Sequence, residues 1–204
     1  DGTGDFVQGG FVPQRVDGFK GAVMMSGIEL GDYVLEDLHS IPVAAAVTLG
    51  ARAPNLTKDW GAAYKARLRD FGRHLLAIAI VGTQRTARTI VVTDDHGNAK
   101  VTGTAYHPAP GAIEAARAII QALGGEPAQT PWETGKQAFT VHPTGGCAMG
   151  EGPDAVVRAR DLQVQPNPGL YVIDGSVLPG NPMRNPSHTI AAVAERALDA
   201  ILAT

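Results

Sequence analysis

Apolar positions along the chain recur with two periods, and the switches between them predict the order of elements. Residues 1–17, beginning DGTGDFVQGG, are rich in glycine and polar residues and carry Pro13, so they are expected to form an exposed arm or loop. From Gly18 to Leu38, Val, Ile, Met and Tyr punctuated by glycine predict two strands joined by a turn. Ile41 to Leu49 reads as a short apolar helix, with Pro42 suited to its first turn. Trp60, Ala63, Tyr64, Arg67, Leu68 and Phe71 lie near helical spacing, which predicts an amphipathic helix within residues 57–76.

Three alternating runs follow, AIAIVGTQ, ARTIVVTD and AKVTGTAY, and are expected to form one antiparallel sheet. Asp94-Asp95-His96-Gly97-Asn98 supplies a hairpin turn between the last two. Residues 110–123 predict a helix ended by Gly124 and Gly125, and Pro127, Pro131 and Gly135 then mark a linker. The expected boundary therefore divides residues 1–130 from residues 131–204. Beyond it, FTVHP, LQVQ and LYVID read as short strands. A last helix from about Pro186 to Leu202 gathers Ile190, Val193, Ala194, Ala197, Leu198, Ile201 and Leu202 on one side. The predicted class is α+β.

Composition narrows the possible partners. With 17 Lys and Arg against 20 Asp and Glu, a formal charge of −3 leaves no excess of cations for a nucleic acid backbone. The longest apolar runs fall far short of the roughly 20 residues needed for a membrane-spanning helix. The single cysteine, Cys147, has no internal disulfide partner, which favours a reducing, cytoplasmic setting. The chain begins at Asp1 without a methionine or a leader-like segment, so an upstream portion is expected to have been removed or to lie elsewhere.

Three segments concentrate chemistry: His142-Pro-Thr-Gly-Gly-Cys, Leu170-Tyr-Val-Ile-Asp-Gly-Ser and Asn185-Pro-Ser-His-Thr-Ile. In the first, an imidazole at a strand end is followed by a turn whose glycines let a ligand approach closely, a placement suited to taking a proton. In the second, Asp174 and Gly175 end an apolar run, where an acid can meet a ligand beyond the strand. In the third, Asn185 is expected to cap the last helix with Pro186 in its first turn, presenting the helix's N–H groups to an electron-rich acceptor. Gly175-Ser176 lacks the surroundings of a hydrolase nucleophile, and no His or Cys cluster has metal-ligand spacing.

Taken in order, HPTGGCAMG and LYVIDGSVLPGNPMRNPSHTIAAVAERALDAIL resemble the C-terminal signature of the glucose-methanol-choline (GMC) oxidoreductases, nearest the cholesterol oxidase branch. The likeness covers residues 140–204, with a looser one from about Gly18. It implies FAD as cofactor, a small-molecule alcohol as substrate, and a C-terminal portion that completes a Rossmann-like FAD-binding domain beside a substrate-binding part. It makes His142 the active-site histidine and Asn185 its partner, in place of the second histidine of the sugar oxidases; His188 is not that residue.

Gly146, Asp174, Gly175, Asn185, Pro186, Ser187 and Thr189 become FAD contacts by the same carry-over. Glu36 matches the substrate-domain glutamate of the cholesterol oxidase branch, with Asp37 as competitor. Ser187 stands where the sterol enzymes carry a bulky aromatic, which counts against a sterol substrate. The family's G-x-G-x-x-G turn has no counterpart here, because GTGDFVQGG has the wrong spacing. The resemblance therefore implies a separate or cleaved N-terminal FAD-binding half. A lyase of the same family and a non-catalytic binding subunit are the alternatives.

Overall fold

The structure, a computed structural model, describes residues 4–39, 61–82, 89–103, 109–128, 142–182 and 184–203. The chain forms two compact units, one of Gly4–Gly82 with Ala105–Phe139, the other of Asp1–Thr3, Thr83–Thr104 and Thr140–Thr204. The helix expected at Ile41–Leu49 lies outside the described residues.

The first unit is built on an antiparallel sheet in the order β2-β3-β4-β1-β7, comprising β1 Gly4–Phe11, β2 Gly27–Leu30, β3 Tyr33–Asp37, β4 Leu75–Gly82 and β7 Glu126–Pro127. Strand β1 corrects the expectation of an N-terminal arm: it lies between β4 and β7 with Phe6 and Gln8 buried. Its glycines hide the strand from a pattern search, yet Gly10 is required there. A Cβ on Gly10 would stand 2.6 Å from Ile120 Cγ2 and 2.8 Å from the Glu126 carbonyl oxygen. Gln8, buried without charge, is satisfied throughout: its Nε2 donates to the Gly9 and Ala128 carbonyls at 2.8 and 2.7 Å, and its Oε1 accepts from Arg117 Nε at 3.3 Å.

Among the described residues, two helices belong to this unit. α1, Gly61–His74, runs directly into β4, where the expectation carried the helix to residue 76. α2, Ala112–Ala122, buries Ala112, Ala116 and Ile120 at every fourth position. It ends as the glycine pair predicted. Gly124, at φ 71°, donates to Gln121 and Gly125 donates to Ile120, at 2.8 and 2.9 Å, which satisfies two terminal carbonyls. The linker expected at Pro127 is instead the edge strand β7, where a proline's missing N–H can face away from the ladder.

Register assigns the two sides of the sheet. Cross-strand partners share a side, so Leu35, Asp37, Ile78, Ile80, Phe6, Gln8 and Gly10 lie together. That is the side of α2, which reaches Gly10 through Ile120, Gln8 through Arg117, and the Tyr33 hydroxyl through the Gly111 carbonyl. Val34, Glu36, Ala79 and Gly27 lie on the other.

In the second unit, β5 Thr89–Thr93 and β6 Ala99–Gly103 pair as the expected hairpin. Asp94 closes its turn, accepting from the His96 and Asn98 N–H groups at 2.9 and 2.8 Å. The single sheet expected from the three alternating runs divides here, because β4 pairs within the first unit while β5 and β6 form a ladder of their own. The remainder holds β8 Met149–Gly150, parallel to β9 Val157–Arg158, a 3-10 turn at Gly175–Val177, and α3 Ser187–Leu202. LQVQ and LYVID do not form the expected strands; they contribute only isolated pairings, Val157 with Val164 and Gln163 with Tyr171. Their alternation serves burial instead, since Val164 and Val172 pack on a core of Val157, Leu162, Val177 and Ala197.

Candidate functional site

That small core positions the chemistry. Cys147 and Met149 enter it from the His142 turn, Val172 and Val177 flank Asp174, and Val193 and Ala197 come from α3. Each of the three polar segments is thus anchored by apolar neighbours in one cluster, in which a fully buried side chain such as Val177 stabilises by about 1.5–3 kcal/mol and the partly buried ones by less. Polar contacts complete the junction. The Cys147 N–H donates to the Ser176 carbonyl at 2.9 Å. A Cβ on Gly175 would lie 3.1 Å from the Pro143 carbonyl oxygen and 3.2 Å from Ile190 Cδ1, so the His142 turn, the Asp174 turn and the head of α3 close tightly around the glycine. Gly146 sits beside them, its missing Cβ 3.7 Å from that of Ser176.

Asp174 caps the 3-10 turn. Its Oδ1 accepts the Ser176 N–H at 2.8 Å and the Ser176 hydroxyl at 2.5 Å. Those two bonds, the hydroxyl's first, hold its carboxyl below the usual carboxylate range against a smaller upward push from burial. Sequence reasoning passed over Ser176 except to reject it as a nucleophile. The Asp-x-Ser spacing, which lets a side chain reach the N–H two residues on, was the available signal.

At α3 the cap is Pro186, with αR geometry and no side-chain cap bond, rather than the expected Asn185, which lies one residue earlier. A rigid proline there already has the helical φ, so the turn starts without a side-chain acceptor. Asn185 Oδ1 is buried, while Ser187, His188 and Thr189 are exposed. The predicted apolar side of α3 is only partly covered, with Ala197 fully buried but Leu198 and Leu202 exposed. His142, on a bend before Pro143, is half-buried, and the buried Thr144 hydroxyl beside it has no hydrogen-bond partner among the described residues.

Glu36 belongs to the other unit. It is buried on the side of the sheet away from α2, between Ala79 on β4 and Gly27 on β2, whose missing Cβ would lie 3.2 Å from Glu36 Cγ. Asp37, its competitor, faces the α2 side and is already engaged: Oδ1 accepts the Ser26 N–H at 2.8 Å and Oδ2 pairs with His39 Nε2 at 2.9 Å. Burial pushes the Asp37 carboxyl up, but the Ser26 N–H and His39 outweigh it and hold it below the usual range. A groove of about 290 Å³ on that side is lined chiefly by Leu35, Asp37, Leu76, Ile78, Ile119 and Leu123. Among the described residues no helix is long and apolar enough to cross a membrane, and no group of three His, Cys, Asp or Glu could hold a metal.

The family profile described as GMC oxidoreductase matches residues 84–194, more than half of the chain and the stretch that contains the junction just described. The chain belongs to the GMC oxidoreductase family, whose members bind FAD. A cholesterol oxidase from Acinetobacter baumannii is 46% identical over 63 residues, which cover 31% of this chain and 11% of that one. The crystal structure of pyridoxine 4-oxidase from Mesorbium loti superposes with a TM-score of 0.56 at 17% identity, over 97% of this chain and 43% of that one, and shows a shared fold. The chain thus spans less than half the length of that enzyme.

Proposed function

We propose that the protein oxidises a small-molecule alcohol with FAD, as the C-terminal part of an enzyme whose N-terminal FAD-binding half is a separate or cleaved chain. The observation that carries this reading is the single core that clamps the His142 turn, the Asp174 turn and the head of α3. The donor and acceptor set suits the cofactor. The first turn of α3, whose capping residue Pro186 makes no side-chain bond, offers N–H groups to an electron-rich acceptor, and the exposed, depressed Asp174 carboxyl offers an acceptor for hydroxyl groups. Gly146, Asp174, Gly175, Asn185, Pro186, Ser187 and Thr189 would hold FAD. When bound, FAD supplies the hydride acceptor for the alcohol's carbon.

His142 takes the alcohol's hydroxyl proton as general base, and Asn185 orients that hydroxyl from the neighbouring position. Glu36 assists from the substrate-binding part, within residues 1–130, with Asp37, which already accepts from Ser26 and pairs with His39, as its competitor. Residues 131–204 complete a Rossmann-like FAD-binding domain. A lone cysteine agrees with a reducing, cytoplasmic setting.

The test is spectroscopic. The protein purified with its FAD-binding half is expected to carry a flavin absorbance band that an alcohol bleaches without oxygen, and His142→Ala should slow that reduction by about 10²-fold or more. An unchanged rate removes His142 from the chemistry. A flavin that no alcohol reduces points to a lyase of the family, and a protein without flavin to a binding subunit.

A further inference from the structure

We infer that Ser176 is a positioning residue that sets the Asp174 carboxylate for the cofactor while fixing the His142 turn beside it. The inference rests on the reading of Asp174 as an FAD contact and goes beyond it to a residue that itself need not touch FAD. Three bonds meet on Ser176. Its hydroxyl and its N–H both go to Asp174 Oδ1, at 2.5 and 2.8 Å, and its carbonyl takes the Cys147 N–H at 2.9 Å.

Two donors on one carboxylate oxygen lock the side chain's rotation and leave Oδ2 as the outward acceptor. A carboxylate has about four lone-pair sites, so Oδ2 keeps capacity for a ligand's hydroxyl groups. An unrestrained Asp on an exposed turn would have to lose rotamer freedom when the ligand binds; here that ordering is done in advance. The backbone carbonyl of the same residue ties the turn to Cys147, five positions after His142, a bond that Ser176→Ala leaves in place, so the substitution isolates the hydroxyl's effect on Asp174.

The Ser176 donors also keep Asp174 ionised to lower pH than an ordinary aspartate. The sign follows from linkage. A depressed carboxyl supplies its ligand contact above its own titration range and loses it as pH falls through that range. Removing the hydroxyl, the larger of the two causes, moves the loss to higher pH. His142 and Cys147 on the adjoining turn, Tyr171 before Asp174, Arg184 before α3, and His188, Glu195, Arg196 and Asp199 on α3 are the other titratable or charged groups on these three segments. An Asp174→Asn background separates them from the carboxylate.

The experiment uses the flavin-containing protein with both halves present and reads the FAD dissociation constant against pH, together with thermal melting. Ser176→Ala is expected to weaken FAD about tenfold at neutral pH, equivalent to roughly 1.4 kcal/mol. It should also move the acid loss of FAD to higher pH, and Ser176→Thr should restore both. In the Asp174→Asn background Ser176→Ala should add nothing further to the loss of affinity.

Equal weakening by Ser176→Ala in both backgrounds, or a lower melting temperature with an unmoved pH profile, overturns the inference. If Asp174→Asn alone leaves FAD affinity unchanged, the assignment of Asp174 as a contact fails first and takes the inference with it. Ser176→Thr, which keeps the hydroxyl, guards against an alanine variant that does not fold.

Discussion

Replacing Thr144 with valine should make the protein more stable, an unusual sign for a change in a buried turn. The Thr144 hydroxyl is buried, the residue as a whole only 4% exposed, and Oγ1 has no hydrogen-bond partner among the described residues. A buried hydroxyl without a partner costs about 1–3 kcal/mol relative to its hydrated state in the unfolded chain. Valine keeps the branched shape and puts a methyl where the hydroxyl stood, so it opens no cavity and needs no partner. The expected gain is about 1 kcal/mol or more, which for a chain of this size is a rise of roughly 2–4 °C in melting temperature. Thr144→Ser provides the control: it keeps the unsatisfied hydroxyl and loses a methyl, so it should melt below the wild type. Thermal melts followed by circular dichroism, with a urea titration to check that the m-value is unchanged, would order the three as Val, Thr, Ser. A valine variant that melts lower than the wild type would refute the reasoning, because it would mean that the hydroxyl is satisfied in the folded protein.

Gly10→Ala should destabilise by about 1–3 kcal/mol, the usual cost of overpacking, because its Cβ would meet Ile120 at 2.6 Å and the Glu126 backbone at 2.8 Å. A paired Ile120→Ala should recover only part of the loss, since the backbone contact stays, and a single variant that melts like the wild type would contradict the packing described for α2. Asp37→Asn tests the Ser26–Asp37–His39 contacts. A depressed carboxyl contributes stability above its ordinary range, about pH 4, that is lost as pH falls through its folded value. The variant should therefore be less stable at neutral pH and lose less on acidification, and parallel melting curves from pH 7 to pH 3 would count against it.

What could be read from the sequence divides along a physical line. Helix α2 and its glycine stop, the β2–β3 hairpin and the Asp94 turn were legible, because propensity, period and capping all act within a few residues. Strand β1 was not. Its evidence is the Ile120 side chain over Gly10 and the β4 and β7 ladders beside it, and those contacts join residues more than 60 positions apart, so glycine looked like flexibility when it was a close approach. The same limit explains LYVID. Its alternating apolar residues can satisfy either a ladder or a core, and here the core won, with Val172 partly buried against the cluster that holds Leu162 and Val177.

At the site, residue type marked the His142, Asp174 and Asn185 segments, since His, Asp-Gly and Asn-Pro are each unusual beside apolar runs. Which side of the sheet Glu36 and Asp37 each face could not be read from adjacency in the sequence. Neighbours on a strand point to opposite sides, so it took the register with β4 to place Glu36 away from α2 and Asp37 toward it. It took the Ser26 N–H and His39 to show that the Asp37 carboxylate already has structural work. Exchanging the two acids, Glu36→Asp with Asp37→Glu, preserves charge and composition yet should lower the melting temperature, because a side chain one methylene longer at position 37 would not meet the Ser26 N–H and His39 as the aspartate does; an unchanged melt would refute this.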